Sequence, residues 1–451
     1  MNHIHLIGIG GISMSAIAEL LLHQGVKISG SDIENTSIIE KLKSHGAEVF
    51  IGHSASNIKK PDLVVYTAAV HEDNPERMEA SRLNIPQIDR AEILGNIMSK
   101  YDTPIAISGS HGKTTTTSML SIFLENSGFD PTILVGGELD EIGGNVKIGK
   151  SQYFITEACE YVESFLKFKP FVGVILNIDV DHLDYFQDLK HIKNSFKKFA
   201  SLIPNNGFLI ACGDDSNTMD VTGDLACNLV TFGIDNNCDY KAENVTFNKL
   251  GYPSFEVFHS GAKLGNFELN VRGQHNIYNT LASIATAHVL GMSSSQLVDS
   301  AKMYKGIHRR FEFKGKVQGV EVYDDYAHHP AEIKATLSAA KKFVKGDIWC
   351  IFQPHTYTRT RSLLEDFSTS FDLADHLIMA DIYAAREIDD GTIHSKNIVE
   401  LTKIRTDSLY IQDFDEIVEY IYNNIKPNDI VITMGAGDIF KVADLLISRY
   451  S

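Results

Sequence analysis

Positive charge is in short supply in this chain: 41 lysines and arginines stand against 58 aspartates and glutamates, a formal net charge of −17. A field of that sign repels polyanionic partners, so no nucleic acid or anionic membrane is an expected partner. An anionic ligand would need a local cationic pocket. Cysteine is scarce as well. The five present (Cys159, Cys212, Cys227, Cys238 and Cys350) are scattered and form no C-x-x-C, which predicts reduced thiols and excludes a disulfide framework or zinc site. No apolar run is long enough to cross a bilayer. The N-terminal one is broken by Gly8, Gly10 and Gly11 and lacks a basic leader and a small-residue cleavage site, so no signal peptide is expected. These absences predict a cytoplasmic protein without membrane insertion; monomer and homodimer are both left open. Low-complexity segments and sequence repeats are also missing.

What is present is apolar mass: 43% of 451 residues are hydrophobic and 22% charged, enough for several cores in two or three domains. Short β-branched runs alternate with helical patterns through the first hundred residues ("HIHLIGI", "VKISGSD", "AEVFIG", "DLVVYTAA"). That rhythm predicts a parallel α/β sheet. It restarts after Thr103-Pro104, where "IAISGSHGK" is followed by the strand candidates "QYFITEA", "FVGVILNI", "GFLIAC" and "NLVTFG". "PSFEVFHSGAKLGNFELNV" instead reads as an antiparallel hairpin, and the helix "HNIYNTLASIATAHVLG" stops at Gly291. A third series starts near His308: "VEVYDDYA", "DIWCIFQP", "HLIMADIY", "SLYIQD" and "DIVITMGAGDI". Three α/β domains are expected, over residues 1–102, 103–307 and 308–451.

Two loops carry phosphate-binding chemistry. In Gly109-Ser110-His111-Gly112-Lys113-Thr114 the glycines sit between a strand and the helix "TTTTSMLSIFLENSG". Backbone amides and the helix N-terminus make an anion cradle there. Lys113 would reach the β- and γ-phosphates of ATP, and the Thr114 hydroxyl would hold Mg2+. Ile107 stands where the longer Walker spacing needs glycine, so the loop is the shorter G-x-x-G-K-T. Glu157 ends one strand, and Asp179, Asp181, His182 and Asp184 follow another. Ligands collect at such carboxyl ends, so these residues could meet a Mg2+-nucleotide. Mg2+ prefers oxygen, which leaves His182 open between a ligand and a capping or core residue. The first loop, Gly8-x-Gly10-Gly11-x-Ser13, has Asp32 where a ribose-binding acid belongs, but serine replaces the third glycine of the dinucleotide fingerprint. NAD, another nucleotide and a purely structural turn all fit it, and the neighbouring ATP loop favours a nucleotide substrate.

With both loops in view, the chain resembles the Mur ligases, the ATP-dependent enzymes that build the peptide of bacterial peptidoglycan. The resemblance runs over essentially the whole chain and is carried by "GSHGKTTTT", "GQHNIYN" (273–279), "HRRF" (308–311), "DDYAHHPAEI" (324–333) and "FQPHTYTRTR" (352–361). It implies a Rossmann-like UDP-sugar domain, a central P-loop-type ATPase domain with a mixed sheet, and a Rossmann-like C-terminal α/β domain for the amino acid and nucleotide. "FQPHTYTR" points to the member that adds the first residue, L-alanine, to the carboxylate of UDP-N-acetylmuramate. The recycling member that adds a preformed tripeptide is the alternative. Outside the family, a dehydrogenase, a P-loop kinase and a non-catalytic nucleotide-binding regulator compete.

The resemblance assigns Gly109, Ser110, His111, Gly112, Lys113, Thr114 and Thr115 to the ATP phosphates. It places Asn276 and Asn279 by the adenosine and Asp324 by the ribose. Thr114 and Glu157 would bind one Mg2+, with His182 assisting a second. Tyr326, His328, His355 and Arg359 would face the incoming amino acid and the transferring phosphate, and Gly10, Gly11 and Asp32 the UDP end. Some relatives carry a second basic residue where this chain has Thr356, so that contact is lost or made elsewhere. No lysine stands out for the carbamylated role found in members that add later residues. Arg309 and Arg310 would serve the site or form a solvated pair. "YAAREIDDGTI" and "MGAGDI" would face the cleft or be ordinary βα turns.

Overall fold

The computed structural model describes residues 2–450 apart from Ala68, Asp184 and Arg386. Asp184, one of the acids singled out above, thus lies outside the described residues. The chain folds into two compact units: residues 1–178, 193–231 and 285–290 make the first, and 179–192, 232–284 and 291–451 the second.

The first unit contains two sheets. One has five parallel strands, in the order Glu48–Ile51, Lys27–Asp32, His3–Ile7, Leu63–Tyr66, Gln87–Asp89. The strand order reverses beside His3–Ile7, where α/β sheets place their ligands. Six strands of the other sheet run in the order Phe208–Cys212, Val172–Ile175, Thr103–Ser108, Tyr153–Glu157, Thr132–Leu139, Gly144–Lys147. Neighbours among these six pair in parallel except the last two, which are antiparallel. The strand Thr103–Ser108 is fully buried, as expected where both faces of a parallel sheet are covered.

A polar knot lies under the first sheet. Glu76 has no exposure, yet its carboxylate accepts hydrogen bonds from Ser31 Oγ at 2.5 Å, Asn57 Nδ2 at 2.5 Å and the Ser54 amide at 3.3 Å. His5 Nε2 stands 3.5 Å away, and His5 Nδ1 meets Ser29 Oγ at 2.9 Å. Burial alone would push the Glu76 carboxyl up, but His5, Ser31 and Asn57 outweigh it and hold it below the ordinary glutamate value of 4.5.

In the second unit the expected hairpin pairs Pro253–His259 with Ala262–Glu268, and Tyr240–Phe247 adds a third antiparallel strand. A six-stranded sheet follows: Glu312–Val317, Val320–Asp325, Ile430–Met434, Ile348–Phe352, His376–Met379, Asp407–Tyr410. Its first strand is antiparallel and the rest are parallel. Side chains alternate between two cores: Ile348, Cys350 and Phe352 enter one, Trp349 and Ile351 the other. This double burial is why "IWCIF" reads as a continuous apolar run. The edge strand Glu312–Val317 escapes such reading because lysines and Gly315 interrupt it.

Candidate active site

The G-x-x-G-K-T loop joins the strand Thr103–Ser108 to the helix Lys113–Asn126. Gly109 has φ +140°, and a Cβ there would lie 2.9 Å from Leu176 Cβ. Gly112 caps the helix in the left-handed region at φ +85°. Asn177, which the sequence had not singled out, pins the loop. Its carbonyl accepts from the Ser110 amide at 3.1 Å, and its side chain accepts from the His111 amide at 2.8 Å and donates to His111 O at 3.1 Å. The available signal was its place at the end of the neighbouring strand.

Lys113 Nζ turns back into the loop. It donates to Gly109 O at 2.5 Å and Ser110 O at 3.2 Å, and pairs with Glu160 Oε2 at 3.0 Å. Burial pulls on the ammonium, but the carboxylate of Glu160, followed by Cys159 and Glu157, keeps its pKa above the ordinary lysine range. Glu160 was also missed from sequence. Thr114 Oγ1 donates to Glu157 Oε2 at 3.0 Å, and the Gly136 amide holds Glu157 Oε1 at 2.6 Å. The fold therefore unites Thr114 with Glu157 as a hard oxygen pair of the kind Mg2+ prefers. Thr115 is buried behind them.

Gly10, Gly11 and Asp32 also meet within the first unit. The Gly8 and Ile9 amides donate to Ser31 O, while the Gly10 amide donates to Asp32 Oδ2 at 2.8 Å. A Cβ on Gly10 would meet that oxygen at 2.9 Å, so glycine is required for the contact itself. Gly11 caps the helix Ile12–His23. Ser13, the departure from the fingerprint, accepts from Arg90 Nη1 at 2.8 Å, so its hydroxyl brings a guanidinium to this turn.

A second cluster forms within the second unit. His182 adopts the left-handed φ +54°, and its amide donates to Asp181 Oδ1 at 2.7 Å. Arg359 Nη2 reaches the same oxygen at 3.2 Å, while its Nη1 stands 3.4 Å from His355 Nδ1. His329 Nε2 donates to Val180 O at 3.1 Å. The Asp181 carboxyl, which burial would raise, is held well below the carboxylate range by His182, Arg359, His329 and His328. His328 lies 6.0 Å from His355, ring centre to ring centre, and 5.5 Å from Tyr326. Tyr383, from "YAAREIDDGTI", stacks on His355 at 5.7 Å. Thr356 is buried in the left-handed region and donates its amide to Tyr383 O at 2.9 Å.

Burial first, then Arg359, lowers the His328 pKa to about 4, so the imidazole is neutral at pH 7. Its Nδ1 lies 2.9 Å from Tyr326 O, which only accepts. The ring proton therefore sits on Nδ1, leaving Nε2 as an acceptor.

Asn276 and Asn279 open the helix His275–Val289, and Asn279 Nδ2 donates to Asn276 Oδ1 at 3.0 Å. Asp324 is buried: Oδ2 accepts from Arg309 Nε at 2.9 Å and Oδ1 from Thr433 Oγ1 at 2.6 Å. Arg309 also donates to Gly435 O and Gly437 O, so it is a clamp on "MGAGDI" rather than half of a solvated pair. Arg310 makes a longer pair with Glu332 at 3.8 Å and lies over Tyr326 at 5.2 Å.

A glycine loop with an inward lysine, at the carboxyl end of a parallel strand and beside an oxygen pair, is the arrangement by which α/β proteins hold phosphates. Three family models match the chain: "Mur ligase family, catalytic domain" over residues 3–102, "Mur ligase middle domain" over 107–287, and "Mur ligase, glutamate ligase domain" over 309–437. The chain is 58% identical over 449 residues to the UDP-N-acetylmuramate–L-alanine ligase of Alkaliphilus metalliredigens, covering 100% of this chain and 98% of that protein. The crystal structure of the UDP-N-acetylmuramate-alanine ligase of Thermotoga maritima superposes with a TM-score of 0.84 at 30% identity, covering 99% of this chain and 98% of that one. The murein peptide ligase of Psychrobacter arcticus shares the fold, with a TM-score of 0.75 at 24% identity over 99% and 98% of the two chains. The chain belongs to the Mur ligase family. Among the described residues no helix is long and apolar enough to cross a membrane.

Proposed function

We propose that this chain is a cytoplasmic enzyme of peptidoglycan biosynthesis that joins L-alanine to the carboxylate of UDP-N-acetylmuramate, converting ATP to ADP and phosphate. The observation that carries this reading is the full-length 58% identity to an enzyme of that name. The Lys113 loop and the Arg359 cluster supply chemistry that suits it. The working domains are residues 1–102 for the UDP-sugar, 103–307 for ATP, and 308–451 for the amino acid and adenosine side.

A carboxylate is a poor acyl electrophile, because its charge repels an amine and oxide is a bad leaving group. Attack of the N-acetylmuramate carboxylate on the γ-phosphorus of ATP gives an acyl phosphate and ADP. The alanine amine then adds to that carbonyl, and phosphate leaves. Gly109 to Thr115 hold the ATP phosphates, and Lys113 neutralises charge that builds on the transferring group. Asn276 and Asn279 face adenosine. Asp324 serves the ribose once it exchanges Arg309 or Thr433 for that partner. Gly10, Gly11 and Asp32 hold the UDP end, and Tyr326 and Arg359 take the amino acid. His328, neutral with Nε2 free of a proton, or His355 accepts the proton that the alanine ammonium must lose. Thr114 and Glu157 fit Mg2+ and His182 fits it less well, being a nitrogen donor. The ion, when bound, supplies charge neutralisation at the phosphates.

Phosphate release, measured with the full chain and a panel of amino acids, tests the reading. Turnover is expected only when ATP, UDP-N-acetylmuramate and L-alanine are all present, with alanine preferred to glycine or serine. Turnover with a preformed tripeptide in place of alanine would point to the recycling reaction, and hydride transfer from NAD would point outside the family. Gly136→Ala tests the metal site, because its methyl would lie 2.8 Å from Glu157 Oε1 and displace that carboxylate. The Mg2+ concentration for half-maximal phosphate release is expected to rise about tenfold. An unchanged Mg2+ titration would remove Glu157 from the metal.

A further inference from the structure

Asp181 and Arg359 stand 178 positions apart in sequence, yet form an ion pair at 3.2 Å with side chains only 10% and 14% exposed. Such a pair gains little net stability, since desolvation offsets its Coulomb attraction. Four histidines, His182, His328, His329 and His355, flank it, with Val180 O tied to His329. The nearby acids are engaged by the histidines, Glu332 standing 3.4 Å from His328 Nδ1 and Asp179 within 4.8 Å of His329. The segment 179–192 belongs to the same compact unit as residues 291–451, which keeps this acid beside the arginine.

An α-amino acid carries opposite charges on two groups bonded to one carbon, with the amine nitrogen about 2.5 Å from the carboxyl carbon by standard bond lengths. A guanidinium and a carboxylate in contact match that pattern in reverse. Inserting a zwitterion exchanges one internal ion contact for two to the ligand, and the buried net charge stays unchanged. A simple carboxylate brings uncompensated negative charge next to Asp181. A simple amine leaves Arg359 without a new partner. A second carboxylate on the amino-acid side chain would be repelled by the same acid.

We propose that Asp181 is a substrate-binding residue: with Arg359 it forms a charge pair that opens to receive a neutral α-amino acid, Arg359 taking the carboxylate and Asp181 the ammonium. This rests on the reading of the Arg359 cluster as the amino-acid site. It adds a binding role for Asp181 beyond orienting Arg359, and it explains how one arginine suffices where Thr356 replaces a second basic residue.

The two roles separate in inhibition by propionate, which has the carboxylate of alanine and no ammonium. With saturating ATP and UDP-N-acetylmuramate, Asp181→Asn is expected to raise the KM for L-alanine at least tenfold. The KM for ATP should stay within twofold, and propionate should inhibit at least threefold more strongly than in the unmodified chain, because a repelling charge has gone. Alanine and propionate weakening together would reduce Asp181 to a support for Arg359 and overturn the proposal, as would an unchanged alanine KM. Should Asp181→Asn melt well below the unmodified protein, the unmodified enzyme decides. Propionate inhibition constants at least tenfold above the alanine KM support the pair, and equal values overturn it. An unmodified chain without any amino-acid-dependent phosphate release overturns the ligase reading itself, a result distinct from each of these.

Discussion

Lys113→Ala is expected to lower kcat for phosphate release about a thousandfold, the order of effect of removing a preorganised charge partner from a transition state. The same change leaves Glu160 buried, with 3% of its side chain exposed and its ammonium partner gone. Breaking a buried pair from one side costs about 3–5 kcal/mol, so this variant should also unfold at lower urea. Lost activity alone would therefore confuse chemistry with folding. The double variant Lys113→Ala/Glu160→Ala removes both charges and is expected to recover most of the urea midpoint while remaining inactive. Recovery of activity along with stability would show that Lys113 only holds the fold. A near-normal rate in the single variant would refute the assignment of the ATP loop.

Glu76→Ala is expected to destabilise the first unit by about 3 kcal/mol, because it strands several buried donors at once. Ser31 Oγ, Asn57 Nδ2, the Ser54 amide and His5 all address that carboxylate, and alanine supplies no acceptor. The sign of the pH dependence follows from the depressed carboxyl. A group held below its ordinary value contributes fully above about 4.5 and loses that contribution as pH falls through its folded value. The gap in urea midpoint between the unmodified protein and Glu76→Ala should therefore be widest near neutral pH and shrink in acid. A gap that grows as pH falls would show that the native carboxyl is protonated.

The glycine loops were legible because their meaning is local. A strand, two glycines, a lysine and a helix start lie within a dozen residues, and backbone geometry requires them together. The strand "IWCIF" was equally readable, as a short continuous apolar run. Gly10 with Asp32 was expected from the dinucleotide fingerprint and Thr114 with Glu157 from the family resemblance, and a hydrogen bond joins each pair. Arg309 was harder: next to Arg310 it looks like a surface pair, and only its bonds to Asp324, Gly435 and Gly437 reveal a clamp. Edge strands such as Glu312–Val317 were lost for a related reason. Their lysines and glycine obscure the alternation that a buried strand displays.

By itself the sequence determined the α/β rhythm, the two glycine loops and the family, since each is written in neighbouring residues or in short ordered motifs. Tertiary structure decided which side chain answers which. Glu160 meets Lys113 across 47 positions, Glu76 meets His5 across 71, and Asp181 meets Arg359 across 178. Strand order and register choose those partners, and a charged residue's sequence neighbours do not record where a distant strand will bring its counterion.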